Sequence, residues 1–283
     1  MRVEEVDTGD VELSCLVAGE GPVVLALHGF PDNRETFLPV VPALTAAGFR
    51  VVMPALRGYR PSGVARGGRH DAVRAGADAV FLARHYSPDR PVRIVGHDWG
   101  AVAAFAAVGS APQRFSHLVT MAVPHVRAFL RGLAQPAQLR RSWYMAFFQL
   151  RGVAEARLSA DDHAFVDRLW RDWSPGYAPT REEMEAVKAG IRGREREVLA
   201  YYRALFSPRA LLGAGPVFGV VTTPSIHVHG EEDGCVGVEV AEGAARYYAG
   251  DYELHRVAGA GHFLTREKPG VVGEIVSRFL GSA

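Results

Sequence analysis

The sequence predicts an α/β fold: a mostly parallel central sheet flanked by helices, with one long helical segment inserted after the sixth strand. Two observations carry this. The continuous apolar run 22–27 suits a strand covered on both faces, as in parallel sheets, and it and further strand-like runs such as 92–95 alternate with segments of helical spacing. That alternation implies right-handed strand–helix–strand crossovers. It breaks at about residue 125 and resumes at about 222, and the stretch between is rich in Arg, Trp, Tyr and helix formers with no strand-like run. The expected organisation is therefore a core built from 1–124 and 222–283, with a helical cap over 125–221.

The elements follow in order. Residues 11–17 alternate apolar and polar, as in one strand of an antiparallel hairpin. The run 22–27 is a buried strand that ends at His28-Gly29. Helical spacing through Phe37, Val40, Val41 and Leu44 stops at Gly48. Residues 50–54 form a strand, 70–86 a helix, 92–95 a strand, 99–108 a helix of small residues and 118–123 a strand. After the insert come a strand at 224–229, a helix at 238–248, a strand at 252–257 and a last helix at 271–280. No internal repeat or low-complexity segment interrupts this order.

Composition narrows the function classes. Almost half of the 283 residues are hydrophobic, enough for a sizeable core, and the net charge is +1. Arginines cluster between Arg127 and Arg209, but acidic residues are interspersed, as on a solvated helical face. No nucleic-acid partner is expected. Cys15 and Cys235 are far apart and fit no metal spacing, which suits two free thiols in a reducing compartment. The first residues are acidic without an apolar signal core, and no run has the length of a membrane span. The expectation is a cytoplasmic protein, monomeric or homodimeric, with no metal and no cofactor.

The most informative segment is Val95-Gly96-His97-Asp98-Trp99-Gly100-Ala101, between a buried strand and a small-residue helix. A sharp strand-to-helix turn of this kind projects its apex side chain above the sheet. The apex here is Asp98, where serine is commoner. A carboxylate is already a nucleophile at neutral pH, and its attack on an sp³ carbon gives an alkyl ester that water then hydrolyses. By itself Asp98 also reads as a helix N-cap. Its partners decide between the two readings. His262 lies in Gly259-Ala260-Gly261-His262-Phe263, just after the last strand, where a general base would activate the hydrolytic water. Asp233, in His229-Gly230-Glu231-Glu232-Asp233-Gly234, is placed to orient that imidazole, with Glu231 and Glu232 as rivals by type. The backbone N–H groups of Phe30 and Trp99 are candidates for an oxyanion hole serving ester hydrolysis.

Four motifs, His28-Gly29-Phe30-Pro31-Asp32, Arg57-Gly58-Tyr59, Gly96-His97-Asp98-Trp99-Gly100 and Gly261-His262-Phe263, resemble those of the α/β-hydrolase-fold epoxide hydrolases, and the likeness covers nearly the whole chain. In the insert, Ser142-Trp143-Tyr144-Met145-Ala146-Phe147-Phe148-Gln149 and Tyr201-Tyr202-Arg203 resemble that family's two tyrosine segments. The resemblance implies an α/β-hydrolase fold and conversion of a small-molecule epoxide to a vicinal diol through an ester on Asp98. It also implies that Tyr144 and Tyr202 donate to the epoxide oxygen; without it, both read as packing residues. The expected substrate-binding residues are His28, Pro31, Trp99, Phe148, Tyr201 and Phe263, although the His28 side chain also reads as one that bonds loop backbone. Ala55 departs from the family, which often has an acidic residue there, and no counterpart of the extra N-terminal domain of some relatives is expected.

Two alternatives stand beside this reading. A haloalkane dehalogenase would share Asp98, His262 and the acid, and Trp99 is usual there, but Phe30 occupies the place of the asparagine that commonly donates to halide. A fluoroacetate-type dehalogenase would carry arginine where Trp99 stands. A non-catalytic binding protein on a hydrolase scaffold is the alternative from another class.

Overall fold

Eight strands form one sheet, ordered β1-β2-β4-β3-β5-β6-β7-β8: β1 (Arg2–Asp7), β2 (Glu12–Ala18), β3 (Val23–Leu27), β4 (Arg50–Pro54), β5 (Val92–His97), β6 (Phe115–Met121), β7 (Ser225–Gly230) and β8 (Tyr252–Val257). The structure is a computed structural model and describes residues 1–207 and 214–282. β1 and β2 pair antiparallel, as do β2 and β4; every other pairing is parallel. β3 and β7 are buried along their whole length, which explains the continuous apolar run of β3. The edge strands β1 and β8 carry exposed charged residues, which discourages further strand pairing.

Helices cover both faces. One face packs against α2 (Ala72–Tyr86) and α3 (Trp99–Ser110); the other packs against α1 (Val41–Ala46) and the C-terminal α12 (Pro269–Leu280). The Asp71 carboxylate caps α2 by accepting from Arg74 N at 2.9 Å. Helix α3 is almost entirely small and buried, so it packs closely on α2 and beneath the sheet's C-terminal edge. Two expected helices are shorter than their spacing suggests. Pro39 and Pro42 divide the first into a 3₁₀ turn (Arg34–Phe37) and α1. The second is α10 (Val238–Glu242), which stops at Gly243 before a 3₁₀ turn at Ala245–Tyr247.

Between β6 and β7 the described residues hold α4 (Val126–Gly132), α5 (Pro136–Arg141), α6 (Trp143–Phe147), α7 (Val153–Trp173), α8 (Arg181–Ile191) and α9 (Glu195–Ala204), and no strand longer than an isolated bridge at Val221. α7 is two helical pieces: Asp161, Asp162 and His163 all take positive φ. α8 begins with a reciprocal capping box, in which Thr180 Oγ1 accepts from Glu183 N and Glu183 Oε2 accepts from Thr180 N. This insert is tied down over the carboxyl ends of the strands. Trp170 Nε1 donates to Pro31 O at 2.8 Å, Tyr201 OH donates to Arg57 O at 3.1 Å, and Trp173 O accepts from both Gly234 N and His262 N. α11 (Leu264–Glu267) adds Arg266, whose guanidinium reaches Asp32 and Glu183. No helix among the described residues is long and apolar enough to cross a membrane.

The loop after β4 is held from below by a buried ion pair. Arg57 Nε and Nη2 grip the two Asp78 oxygens at 2.7 and 2.6 Å, and Arg57 Nη1 reaches Asp10 at 2.9 Å. Arg57 is 2% exposed, so its charge has no recourse to water. Asp78→Ala is expected to lower unfolding stability by about 3–5 kcal/mol, because it strands a buried guanidinium. Urea denaturation checks this; a loss below 1 kcal/mol would contradict it.

Candidate active site

Five loops converge at the carboxyl end of the sheet. At the apex of the turn from β5 to α3, Asp98 has φ 52° and ψ −119°, a left-handed conformation that a non-glycine residue adopts only when its surroundings impose it. Glycines make room for that turn. A Cβ on Gly100 would lie 1.9 Å from Leu27 O, and one on Gly29 would lie 2.3 Å from Asp98 Oδ1. Strand β3 lies beside β5, so its His28-Gly29-Phe30 loop passes directly over the carboxylate.

Asp98 Oδ1 accepts from Phe30 N at 2.7 Å, and the Trp99 N–H also favours the charged form. Burial pushes the Asp98 pKa up to about 6, against the opposing pull of His262 and these two N–H groups. His262 Nδ1 lies 2.9 Å from Asp233 Oδ2. Asp233 Oδ1 accepts from Cys235 N at 2.7 Å and Val236 N at 2.9 Å. Since Asp233 is an acceptor, Nδ1 carries the hydrogen and Nε2 is left with a free lone pair. That atom has no hydrogen-bond partner and stands 3.7 Å from Asp98 Oδ2. Burial lowers the His262 pKa, but the charges of Asp233 and Asp98 and the Asp233 hydrogen bond outweigh it, and the net shift is upward. Asp233 is held below its usual range, because His262 and the backbone donors overcome the effect of burial. Of the three acidic residues of its loop, Asp233 alone reaches His262; Glu231 pairs with Arg256 at the surface and Glu232 is exposed.

Both insert tyrosines face the same apolar cavity as Asp98 and Trp99. Their rings meet edge to face with centroids 5.7 Å apart. The Tyr144 hydroxyl lies 3.2 Å from Cys235 Sγ, whereas the Tyr202 hydroxyl is buried with no partner. Burial raises both phenols well above their usual pKa, so both are neutral donors.

The other expected substrate-binding residues lie elsewhere. His28 is turned into the core: Nε2 accepts from Leu56 N at 3.0 Å, Nδ1 approaches Gly29 O, and burial lowers its pKa to about 4. Its ring therefore holds the loop together and does not line the cavity. Pro31 presents its carbonyl to Trp170, Phe263 stacks on Trp170 with centroids 3.6 Å apart, and Phe148 packs behind Phe30 and Tyr202. Tyr201 is engaged with Arg57 O and borders a neighbouring space beyond Trp99. Conversely, Val102, Val126, Phe129, Met145 and Leu205 line the cavity without having been singled out, as do Cys235 and Val236. Trp173 sits against both His262 and Tyr144, at 5.0 and 4.9 Å. Only for Cys235 and Val236 did the sequence carry a signal, their position just past Asp233. Donor atoms of Asp233, Cys235 and His262 fall within 4.8 Å of one another, and both Asp233 oxygens already take part in hydrogen bonds, to Cys235 N, Val236 N and the His262 ring.

A family model described as alpha/beta hydrolase fold matches residues 22–269. Among curated proteins, the chain is 27% identical to the AB hydrolase superfamily protein YfhM of Bacillus subtilis, over 99% of this chain and 98% of that protein. It is 29% identical to Epoxide hydrolase A of Mycobacterium tuberculosis, over 97% of this chain and 96% of that one. Among solved structures, Epoxide Hydrolase A of Mycobacterium thermoresistibile superposes with a TM-score of 0.83 at 25% identity, covering 99% of this chain and 98% of that chain. The epoxide hydrolase of Bacillus megaterium bound to an inhibitor gives 0.83 at 24%, covering 99% and 100%.

The buried carboxylate makes a direct prediction. In protein labelled with ¹³C at the Asp carboxyls, the Asp98 resonance, assigned by its loss in Asp98→Asn, is expected to titrate near pH 6. Titration near 4, the ordinary value for Asp, would contradict the burial-driven shift.

Proposed function

The chain belongs to the alpha/beta hydrolase fold family, and from that premise we propose that it is an epoxide hydrolase that opens its substrate through a covalent ester on Asp98. The observation that carries this reading is a carboxylate nucleophile and two neutral phenols facing each other across one apolar cavity. In the proposed reaction Asp98 attacks an epoxide carbon while Tyr144 and Tyr202 donate to the ring oxygen, and one phenol proton passes to it as the C–O bond breaks. This leaves a hydroxyalkyl ester and a phenolate. His262, oriented by Asp233, then takes a proton from water, and the hydroxide adds to the Asp98 carboxyl carbon. The N–H groups of Phe30 and Trp99 receive the negative charge of that tetrahedral intermediate. Its collapse expels the diol alkoxide, which takes the His262 proton. The Asp98 carboxylic acid then returns its proton to the phenolate, so substrate plus water gives diol with every group restored. The helices between β6 and β7 act as the lid that carries the phenols and keeps bulk water from the ester.

The relatives named as epoxide hydrolases support the substrate class. One feature favours the second reading, a haloalkane dehalogenase: the Trp99 indole N–H is buried without a partner beside the cavity, as a halide donor would be. The leaving group separates the two. An alkoxide needs a proton donor, while a departing halide needs only a polar pocket. Tyr144→Phe and Tyr202→Phe are each expected to slow alkyl-enzyme formation by about 10²–10³, as for loss of a transition-state donor, and the double variant should be nearly inactive on styrene oxide. Stopped-flow measurement checks this. Near-normal epoxide turnover by the double variant, or faster halide release from a haloalkane than opening of any epoxide tested, would overturn the proposal.

A further inference from the structure

Cys235 has no place in the reaction above, yet its sulfur lines the cavity and is the hydrogen-bond partner of a reacting phenol. Sγ lies 3.2 Å from Tyr144 OH. The backbone that carries the sulfur is fixed from both sides: the N–H of Cys235 donates to Asp233 Oδ1, and its carbonyl accepts from Gln138 Nε2 at 2.9 Å. The side chain is 1% exposed, so no solvent competes for the contact. Burial pushes both the thiol and the phenol well above their usual pKa, so each carries a hydrogen and the pair holds two hydrogens between two heavy atoms.

Either atom can be the donor at this distance, and the two directions differ in where they leave the phenol hydrogen. Sulfur is a weak acceptor, whereas a phenol oxygen keeps a lone pair when its own hydrogen points elsewhere. If Tyr144 donated to Sγ, its hydrogen would be taken up by the sulfur and not offered to a substrate oxygen. If the S–H donates to Tyr144, the phenol hydrogen is left facing the space in front of Asp98. Only the second arrangement offers the phenol hydrogen to a substrate oxygen, which becomes its acceptor while the S–H partners the phenol oxygen.

We propose that Cys235 is a positioning residue for Tyr144: its S–H donates to the phenol oxygen, orients the phenol hydrogen toward the cavity and supports the negative charge that forms when Tyr144 gives up its proton. This deepens the reading of the site as an epoxide-opening centre and rests on it. No bond to sulfur is made or broken; the S–H hydrogen bond strengthens as phenol becomes phenolate and relaxes when the proton returns.

Two measurements test it. The first needs no substrate and therefore does not depend on the epoxide reading. The S–H stretch of Cys235 is isolated from that of Cys15 by infrared difference between wild type and Cys235→Ala. It is expected at lower frequency in wild type than in Tyr144→Phe, where the acceptor is missing. An identical frequency in both overturns the assignment of the S–H as donor. The second is a double-mutant cycle on alkyl-enzyme formation. Cys235→Ala is expected to slow this step about 3- to 10-fold, the range for one hydrogen bond, in wild type and in Tyr202→Phe, but to have no further effect in Tyr144→Phe. Cys235→Ser, which restores a donor, should recover most of the rate. An equal loss in the Tyr144→Phe background, or no recovery with Ser, would mean that the sulfur only fills space, and the proposal would fail. Absence of epoxide turnover in wild type would instead overturn the reading of the reaction and leave the infrared result standing.

Discussion

Everything in this molecule is arranged around one buried carboxylate held on a strained turn. Asp98 is 5% exposed at a positive φ, and an isolated charge there would be worth several kcal/mol of destabilisation. The fold meets this with two donors, the N–H of Phe30 and the N–H of Trp99, and with the electrostatic pull of the His262 imidazole 3.7 Å away. Compensation is incomplete, as the upward shift of the carboxyl shows. A carboxylate so placed is desolvated and only partly compensated, which suits the nucleophilic role proposed for it.

The sheet order makes this convergence possible. β3 beside β5 brings the His28-Gly29-Phe30 loop over Asp98, while β7 and β8 bring Asp233 and His262 across the width of β6. The helices inserted between β6 and β7 then close the space above. They are not loosely draped: Trp173 O accepts from both His262 N and Gly234 N, and Arg266 ties Asp32 to Glu183 of the insert. The position of His262 and the position of the phenols are therefore set by the same contacts, and movement of the insert would disturb both.

Much of this was legible in the sequence because it is local. The strand rhythm survives as apolar runs, and the glycines around Asp98 mark a turn whose close approach admits nothing larger. The breaks at Pro39, Pro42 and Gly243 could have been read more finely from residue chemistry. The break in α7 could not, since Asp161, Asp162 and His163 include neither glycine nor proline. Asp233 was favoured over Glu231 and Glu232 in the sequence by its place just before Gly234, and the geometry places it beside His262. The cavity lining was the least legible part. Val126, Phe129 and Met145 look alike in sequence whether they face a core or a substrate, and His28, within a strong motif, turns inward to bond Leu56 N. Tyr144 and Tyr202 stood out only through a family resemblance, because periodicity gives an aromatic residue on an amphipathic helix no chemical role.

The central claim is that Asp98 forms a covalent ester, and isotope transfer tests it most directly. In a single turnover of excess enzyme in ¹⁸O water, the diol should contain unlabelled oxygen drawn from the Asp98 carboxylate, while the label appears in the protein, because water attacks the carboxyl carbon. Immediate appearance of ¹⁸O in the diol during that first turnover would mean that water opens the ring directly, and the account would be wrong.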